Sequence, residues 1–359
     1  MAAVVTEQPG GDSADTGKKL TLVVTGANIG CGYEACRQLA ATTEVGHIVV
    51  GVRSAEKAKK TIDSLVADTQ KDSSFFSSIL IDNGDLASIK AAVEVFPKFD
   101  RLCLNAGGLA KLGIHKPSGA TNTMVINTLG AAALVDGLLA ANKIQAGARV
   151  IYIGSEVSRN IWSLTGLLPF YLCNGFGEED VDRVIGNNYQ ACYGCNCLPV
   201  RAQLGDYKNS KIIGQLHFAH LAKENPEIYF ASTSPGAVGG SFFQKAKFPM
   251  KQLVKCIPCV FRCARISHAC SPKKSLQIGS KRYVDMLTGP TRFPPGAMSM
   301  SGPDCCCCLS WGAYGPLVDN RPLVGYLRDE NLAAQTTAKV RAWEDKWAQQ
   351  AFVNMEMKR

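Results

Sequence analysis

The chain has no stretch that approaches the ~18 uninterrupted apolar residues of a membrane-spanning helix. The most apolar candidate, Ala131 to Ala141, is broken by Asp136 and Gly137. It has no apolar core in its first 19 residues, which carry Glu7, Asp12 and Asp15, so these read as a disordered lead rather than a secretory signal. Internal repeats are absent. Charged residues are only 19% of the 359, against 46% apolar, a balance that excludes wholesale disorder, collagen and coiled coil. Acid is missing from one long stretch: no Asp or Glu falls between Gly240 and Val284.

That local lack explains the overall charge of +9. Ten cations occupy the acid-free stretch, from Lys245 and Lys247 to Lys281 and Arg282, while the remainder holds 29 cations against 30 anions. Leu253, Val254, Ile257, Val260 and Phe261 are mixed with the cations. The pattern predicts a solvated lid over a pocket, or a peripheral membrane contact through 245–282. Nucleic acid is not expected as a partner, because aromatic platforms and groove-reading motifs are lacking.

Cysteine is abundant, with 15 residues. Eleven lie in three clusters: Cys192, Cys195 and Cys197; Cys256, Cys259, Cys263 and Cys270; and Cys305 to Cys308. With no secretory signal, they are expected to be reduced thiols in a cytoplasmic or organelle-stroma compartment. Cys256-x-x-Cys259 has zinc-like spacing. A structural site needs four ligands, and Cys192-x-x-Cys195 supplies the second pair only if its segment folds over, so no metal is expected.

Continuous apolar runs mark strands at Leu20 to Thr25, His47 to Val52, Phe75 to Ile81, Arg101 to Leu104, Arg149 to Ile153 and Ile228 to Ser232. Helical patterns separate most of them, including Ser54 to Ala67. Strands alternating with helices predict βαβ units and an α/β doubly wound parallel sheet in one domain over 20–330. Residues 158–206 interrupt the rhythm with Gly, Asn, Pro and Cys and read as an irregular insertion. Residues 239–284 form a second irregular, basic and Cys-rich region. The tail, 331–359, reads as a helix with Val340, Trp343 and Trp347 on one face.

The first strand runs into Thr25-Gly26-Ala27-Asn28-Ile29-Gly30-Cys31-Gly32. Glycines here permit a tight turn and close approach of a pyrophosphate to a helix N-terminus, although a plain βα turn has the same composition. Tyr207 and Lys211 are four residues apart, so on a helix they share a face. A nearby ammonium and an oxidised nicotinamide would both favour the phenolate and lower the Tyr207 pKa from ~10. The second strand ends at Arg53, with Lys57 one turn on, where an acidic residue would favour a ribose 2′-hydroxyl. A guanidinium suits a 2′-phosphate instead, so NADPH/NADP+ is the expected cofactor.

In order along the chain, these motifs resemble the short-chain dehydrogenase/reductase family, a Rossmann-type fold, over roughly Leu20 to Gly240. The glycine turn has the TGxxxGxG spacing. The resemblance implies cofactor contacts by Thr25, Gly26, Asn28, Ile29, Gly30 and Gly32, and by Asp85-Leu86 at the adenine. It implies that Asn105-Ala106-Gly107 steadies the sheet beside the cofactor and that Pro235-Gly236 lies at the nicotinamide. It further implies a catalytic set: Tyr207 as acid/base, Lys211 lowering its pKa and holding the ribose, Ser155 on the substrate oxygen, and Asn127 holding a relay water. Pairing into a homodimer through the helices bearing Asn127 and Tyr207 is implied as well.

Within the family, the TGAN start, Tyr207-Lys208-Asn209-Ser210-Lys211, the insertion before Tyr207 and the tail around Ala342-Trp343-Glu344 resemble the retinol dehydrogenase and light-dependent protochlorophyllide reductase branch. Those photoreductases carry a Cys directly after the PG pair; this chain has Ala237. The expected activity is therefore dark, NADPH-dependent hydride transfer to or from a carbonyl or alcohol of a bulky apolar substrate, isoprenoid- or tetrapyrrole-like. Reduction of the protochlorophyllide C=C bond and a non-catalytic NADPH-binding scaffold are the alternatives.

Overall fold

The computed structural model describes residues 19–159, 178–185, 199–236, 238, 272–301, 317–319 and 325–356. Eight strands form one sheet: β1 (Leu20–Thr25), β2 (Val45–Val52), β3 (Phe76–Leu80), β4 (Arg101–Leu104), β5 (Arg149–Ile153), β6 (Tyr229–Thr233), β7 (Met298–Ser301) and β8 (Leu317–Asp319). Their order is β3-β2-β1-β4-β5-β6-β7-β8. The first seven run parallel and β8 turns back antiparallel on β7. The order reverses between β1 and β4, where a doubly wound sheet opens its ligand crevice at the C-terminal strand ends.

Among the described residues, eight helices cover the two faces. They are α1 (Gly30–Leu39), α2 (Ala55–Thr69), α3 (Leu86–Val95), α4 (Asn122–Ala140), α5 (Glu178–Ile185), α6 (Pro199–Glu224), α7 (Pro272–Leu287) and α8 (Glu330–Glu356). Strand residues alternate between the two cores, as the pleat requires. Leu22, Val24, Ile48 and Ile151 face α1, α2 and α7. Val23, Val49, Val150 and Tyr152 face α3, α4, α6 and α8.

The expected doubly wound sheet is what forms, and six strands stand within two residues of their apolar runs. β7 and β8 were not foreseen. β7 is Met-Ser-Met-Ser, too short and too alternating to read as a buried parallel strand. The irregular reading of 158–206 and 239–284 is corrected at three places. Val181 and Ile185, one turn apart on α5, are fully buried. α6 begins at Pro199, a residue suited to the first helical turn. α7 occupies the end of the basic stretch. The tail helix is present as α8, with Val340 and Trp347 buried and Trp343 packed against the same core.

α4 is long and apolar enough to cross a membrane by length and composition, but two-thirds of that stretch is buried inside the fold. It widens into a π-helical turn at Val125–Leu129, the kind of interruption that re-aims a side chain. Gly130 lets α4 press on the turn after β3, since a Cβ there would lie 2.2 Å from the Asn83 carbonyl oxygen.

Candidate active site

The glycine turn leaves β1 with two left-handed positions, Gly26 (φ +66°) and Gly30 (φ +62°). Asn105 straps it from β4: Nδ2 donates to the carbonyls of Thr25 (2.9 Å) and Gly26 (3.2 Å). The Ala106 N–H donates to Thr25 Oγ1 at 3.0 Å. Gly32 closes the packing, for a Cβ there would stand 2.4 Å from Asn105 Nδ2 and 2.6 Å from the Gly26 carbonyl oxygen. α1 starts at Ile29, whose side chain is exposed and does not cap the helix. Its first-turn N–H groups therefore point outward beside half-buried Asn28 and fit an anionic pyrophosphate.

Arg53 is exposed at the C-terminal end of β2, just before Ser54, which caps α2 through Lys57 N–H. The adenine contact implied for Asp85-Leu86 has two candidate acids on the turn after β3. Asp85 spends its carboxylate capping α3, accepting from Ala87 N–H at 2.9 Å, and Leu86 is buried in the core. The acid that leaves the end of the β3 strand is half-buried Asp82, which holds Gly84 N–H at 3.0 Å. The Asp82/Asp85 pair on one short turn left this choice unreadable from sequence.

The four implied catalytic residues do converge. Ser155 follows β5, Tyr207 and Lys211 share one face of α6, and Asn127 sits in the wide turn of α4. Ser155 hydrogen-bonds the Tyr207 hydroxyl. Lys211 is buried, donates from Nζ to the Ile153 carbonyl at 2.7 Å, and lies over the rings of Tyr152 (5.0 Å) and Tyr207 (5.7 Å). Gly107 is there for want of room: a Cβ would meet Asn127 Oδ1 at 2.5 Å.

Without the nicotinamide, burial pushes Tyr207 up to about 12, with the Ser155 hydrogen bond pulling the other way. Burial also drives Lys211 down to about 7. Asn127, expected to hold a relay water, is also a bridge through its side chain. Its Oδ1 accepts from Gly108 N–H (2.7 Å), and its Nδ2 donates to the Gly108 carbonyl (3.0 Å) and Ser210 Oγ (3.1 Å). Its main-chain carbonyl accepts the Tyr152 hydroxyl at 2.9 Å, leaving one lone pair there for a relay.

Tyr152 was not singled out by sequence, because it sits mid-strand and reads as core. Burial raises its pKa, so the hydroxyl stays protonated as a donor. Gly214 makes room for it: a Cβ there would lie 2.3 Å from the Tyr152 hydroxyl. Pro235-Gly236 follows β6 as expected, with Gly236 at φ +77° and its N–H on Ser234 Oγ at 3.1 Å.

Ala237, the residues 245–271 of the basic stretch, and all cysteines except Cys31, Cys36 and Cys103 lie outside the described residues. Of the four described cations in 245–282, Lys273 and Lys274 are exposed and Lys281 pairs with Asp285 at 2.8 Å. Arg282 departs from the expected solvated surface: it is buried and paired with Glu156. Cys31, in the glycine turn, is a protonated thiol pushed up to about 11 by burial, with hydrogen bonds to Ser280 and Tyr283 easing the shift. α8 packs along α6, on the helix that the implied homodimer would use.

Comparison with known proteins places these features. The family model described as short chain dehydrogenase matches residues 20–166. A short-chain dehydrogenase/reductase of Aspergillus flavipes is 34% identical over 134 residues, covering 35% of this chain and 39% of that protein. Another, of Armillaria gallica, is 32% identical over 162 residues, covering 41% of this chain and 50% of that protein. The chain thus spans about half the length of the curated relatives it matches. Among solved structures, salutaridine reductase from Papaver somniferum superposes with a TM-score of 0.53 at 15% identity, over 78% of this chain and 99% of that one. An uncharacterized protein from Mycobacterium paratuberculosis superposes with a TM-score of 0.58 at 17% identity, over 91% and 93%. At these identities the superpositions speak for the fold alone.

Proposed function

We propose, from the match of residues 20–166 to the short chain dehydrogenase model, that the chain is a short-chain dehydrogenase/reductase that transfers hydride between NADPH and a carbonyl or alcohol of a bulky apolar substrate. The observation that carries the reading is the Ser155–Tyr207 hydrogen bond, with buried Lys211 one helical turn away, at strand ends that also hold the glycine cradle. When bound, the nicotinamide supplies or accepts the hydride. Every other task falls to this chain's own groups.

Tyr207, protonated through neutral pH, serves as the acid that delivers a proton to the substrate oxygen in the direction of reduction. Ser155 orients the same oxygen. Lys211, held on the Ile153 carbonyl, is placed to receive a ribose hydroxyl and to change charge near neutrality. Asn127 fixes the Gly108 loop to α6. The free N–H groups at the start of α1 take the pyrophosphate, Asp82 the adenine side, and exposed Arg53 with Lys57 the 2′-phosphate. The bulky apolar substrate is inferred from the resemblance of the TGAN turn and the YKNSK helix to the retinol dehydrogenase branch. The acid-free stretch is the proposed cover of its pocket, with a cytoplasmic or stromal location.

The test is a screen of carbonyl and polyene substrates, in light and in darkness, following NADPH absorbance for the wild type and Tyr207→Phe. Dark turnover that vanishes in Tyr207→Phe while NADPH binding persists is expected. Undiminished turnover in that variant overturns the assignment, and turnover in light alone would favour C=C reduction.

A further inference from the structure

The β5–β6 ladder ends at the pair Ile153 and Thr233, with one last bond from Gly154 N–H to the Thr233 carbonyl at 2.8 Å. Beyond it the two chains leave the sheet as Ser155-Glu156 and Ser234-Pro235-Gly236. These segments bound the nicotinamide side of the crevice in the reading above, and no sheet bond joins them there. A buried guanidinium stands between them. Arg282 Nη1 donates to the Ser234 carbonyl at 3.1 Å and reaches Glu156 Oε1 at 3.4 Å. Both side chains are 7% exposed.

The helix that carries Arg282 is fitted to this place. Gly279 lies against the PG turn so closely that a Cβ would stand 2.7 Å from the Pro235 carbonyl oxygen. Ser280 Oγ donates to the Cys31 carbonyl of the glycine turn at 3.1 Å. Gln38 Nε2, from α1, donates to the Gln277 carbonyl at 2.9 Å. One face of α7 thus touches three backbone segments that line the crevice: the glycine turn, the exit of β5 and the exit of β6.

We propose that Arg282 and Glu156 are positioning residues for hydride transfer, a buried clamp that sets the spacing between the Ser155 and Pro235-Gly236 segments around the nicotinamide. The proposal rests on the hydride-transfer reading. A guanidinium suits the task because it is planar, permanently charged and able to serve a carbonyl and a carboxylate together. Burial makes the pair rigid, because separating the charges would strand each in a low dielectric. The clamp's bonds to the Ser234 carbonyl and Glu156 lie on the nicotinamide side, so its effect is expected in that half of the cofactor.

The experiment uses the full chain and two probes, NADPH and 2′,5′-ADP, the second carrying the adenine half without nicotinamide. Affinities are measured by fluorescence and calorimetry for the wild type, Glu156→Gln and Arg282→Lys, with thermal melting as the control for folding. Loosening a positioning contact should weaken NADPH binding roughly tenfold and leave 2′,5′-ADP binding unchanged. Should either single variant not fold, the paired variant Arg282→Met/Glu156→Leu removes both charges and carries the same expectation. Equal losses for both probes, no loss for either, or failure of all three variants to fold would each reduce the pair to a structural element and overturn the proposal. A wild type that binds neither probe instead defeats the hydride-transfer reading on which the clamp rests.

Discussion

Around Tyr207 the buried polar groups are held by partners, although Ser232 Oγ and Thr233 Oγ1 at the end of β6 have none among the described residues. Lys211 has the Ile153 carbonyl, Asn127 uses both side-chain atoms, and Tyr152 has the Asn127 carbonyl. Where α4, α6 and α8 meet, burial is handled differently. Both ring nitrogens of His217, Oε1 of Glu344 and Oδ1 of Asp136 have no hydrogen-bond partner among the described residues. Arg341 joins Asp136 (3.3 Å) and Glu224 (2.7 Å) across a cleft of about 470 Å³ that Glu344 also lines. His217 is pushed down to about 3 by burial and Glu344 is raised well above the carboxylate range, again chiefly by burial, with Asp136 adding to it and Arg341 opposing. In the helical layer burial keeps His217 and Glu344 neutral beside the Arg341–Glu224 ion pair, whereas around Tyr207 it is met by fixing Lys211, Asn127 and Tyr152 with bonds. Only the second arrangement holds atoms in the defined positions that proton transfer needs.

If that division is right, changes in the crevice cost turnover and changes in the helical layer cost stability. Tyr207→Phe carries the largest expected effect, a loss of turnover on the order of 100- to 10,000-fold with the melting temperature within a few degrees of the wild type. Trp347→Ala is its counterpart in the helical layer. Trp347 is 1% exposed and packs edge-on against His115 at 5.4 Å, so truncation should remove about 3–5 kcal/mol of stability by urea unfolding. His115 Nε2 in turn donates to the Gly84 carbonyl, 2.9 Å away, beside Asp82. A Trp347→Ala protein that melts normally but loses NADPH affinity would break the division. Arg53→Asp is the next in size: the ratio of NADPH to NADH affinity should fall by roughly tenfold or more, since on the proposed reading a carboxylate would replace the exposed guanidinium facing the 2′-phosphate. An unchanged ratio would remove Arg53 from the cofactor site.

The sequence showed the crevice better than the layer behind it, for a physical reason. Glycine turns, YxxxK and the strand runs are local patterns, so Gly26, Gly30, Tyr207 and Lys211 could be placed one element at a time. Asp82 and Asp85 were not separable because an N-cap and a strand-end acid look alike when three residues separate them. Tyr152, Arg282 and Glu344 act through contacts between elements distant in the chain: Arg282 and Glu156 are 126 residues apart. α5 was legible in principle, since Val181 and Ile185 stand at i and i+4. The surrounding Gly and Asn residues hid it.

The smallest expected effects are two opposite slopes of stability with pH, one from each region. Lys211 titrates near about 7 in the folded chain and near ~10.4 when unfolded. Between those values the unfolded chain binds more protons, so stability rises with pH across that window. Glu344 behaves in the reverse sense. Its folded pKa is raised, so above about 4.5 the folded chain keeps a proton the unfolded chain has released, and stability falls with rising pH until the folded group also ionises. Urea midpoints measured from pH 4 to 10 should show Lys211→Met flattening only the upper slope and Glu344→Gln only the lower one. Glu344→Gln should also add on the order of 1 kcal/mol at neutral pH, because an amide needs no proton to stay neutral in the cleft. If both variants instead ran parallel to the wild type, burial in the two regions would be handled alike, and the distinction between fixing a group and neutralising it would not describe this molecule.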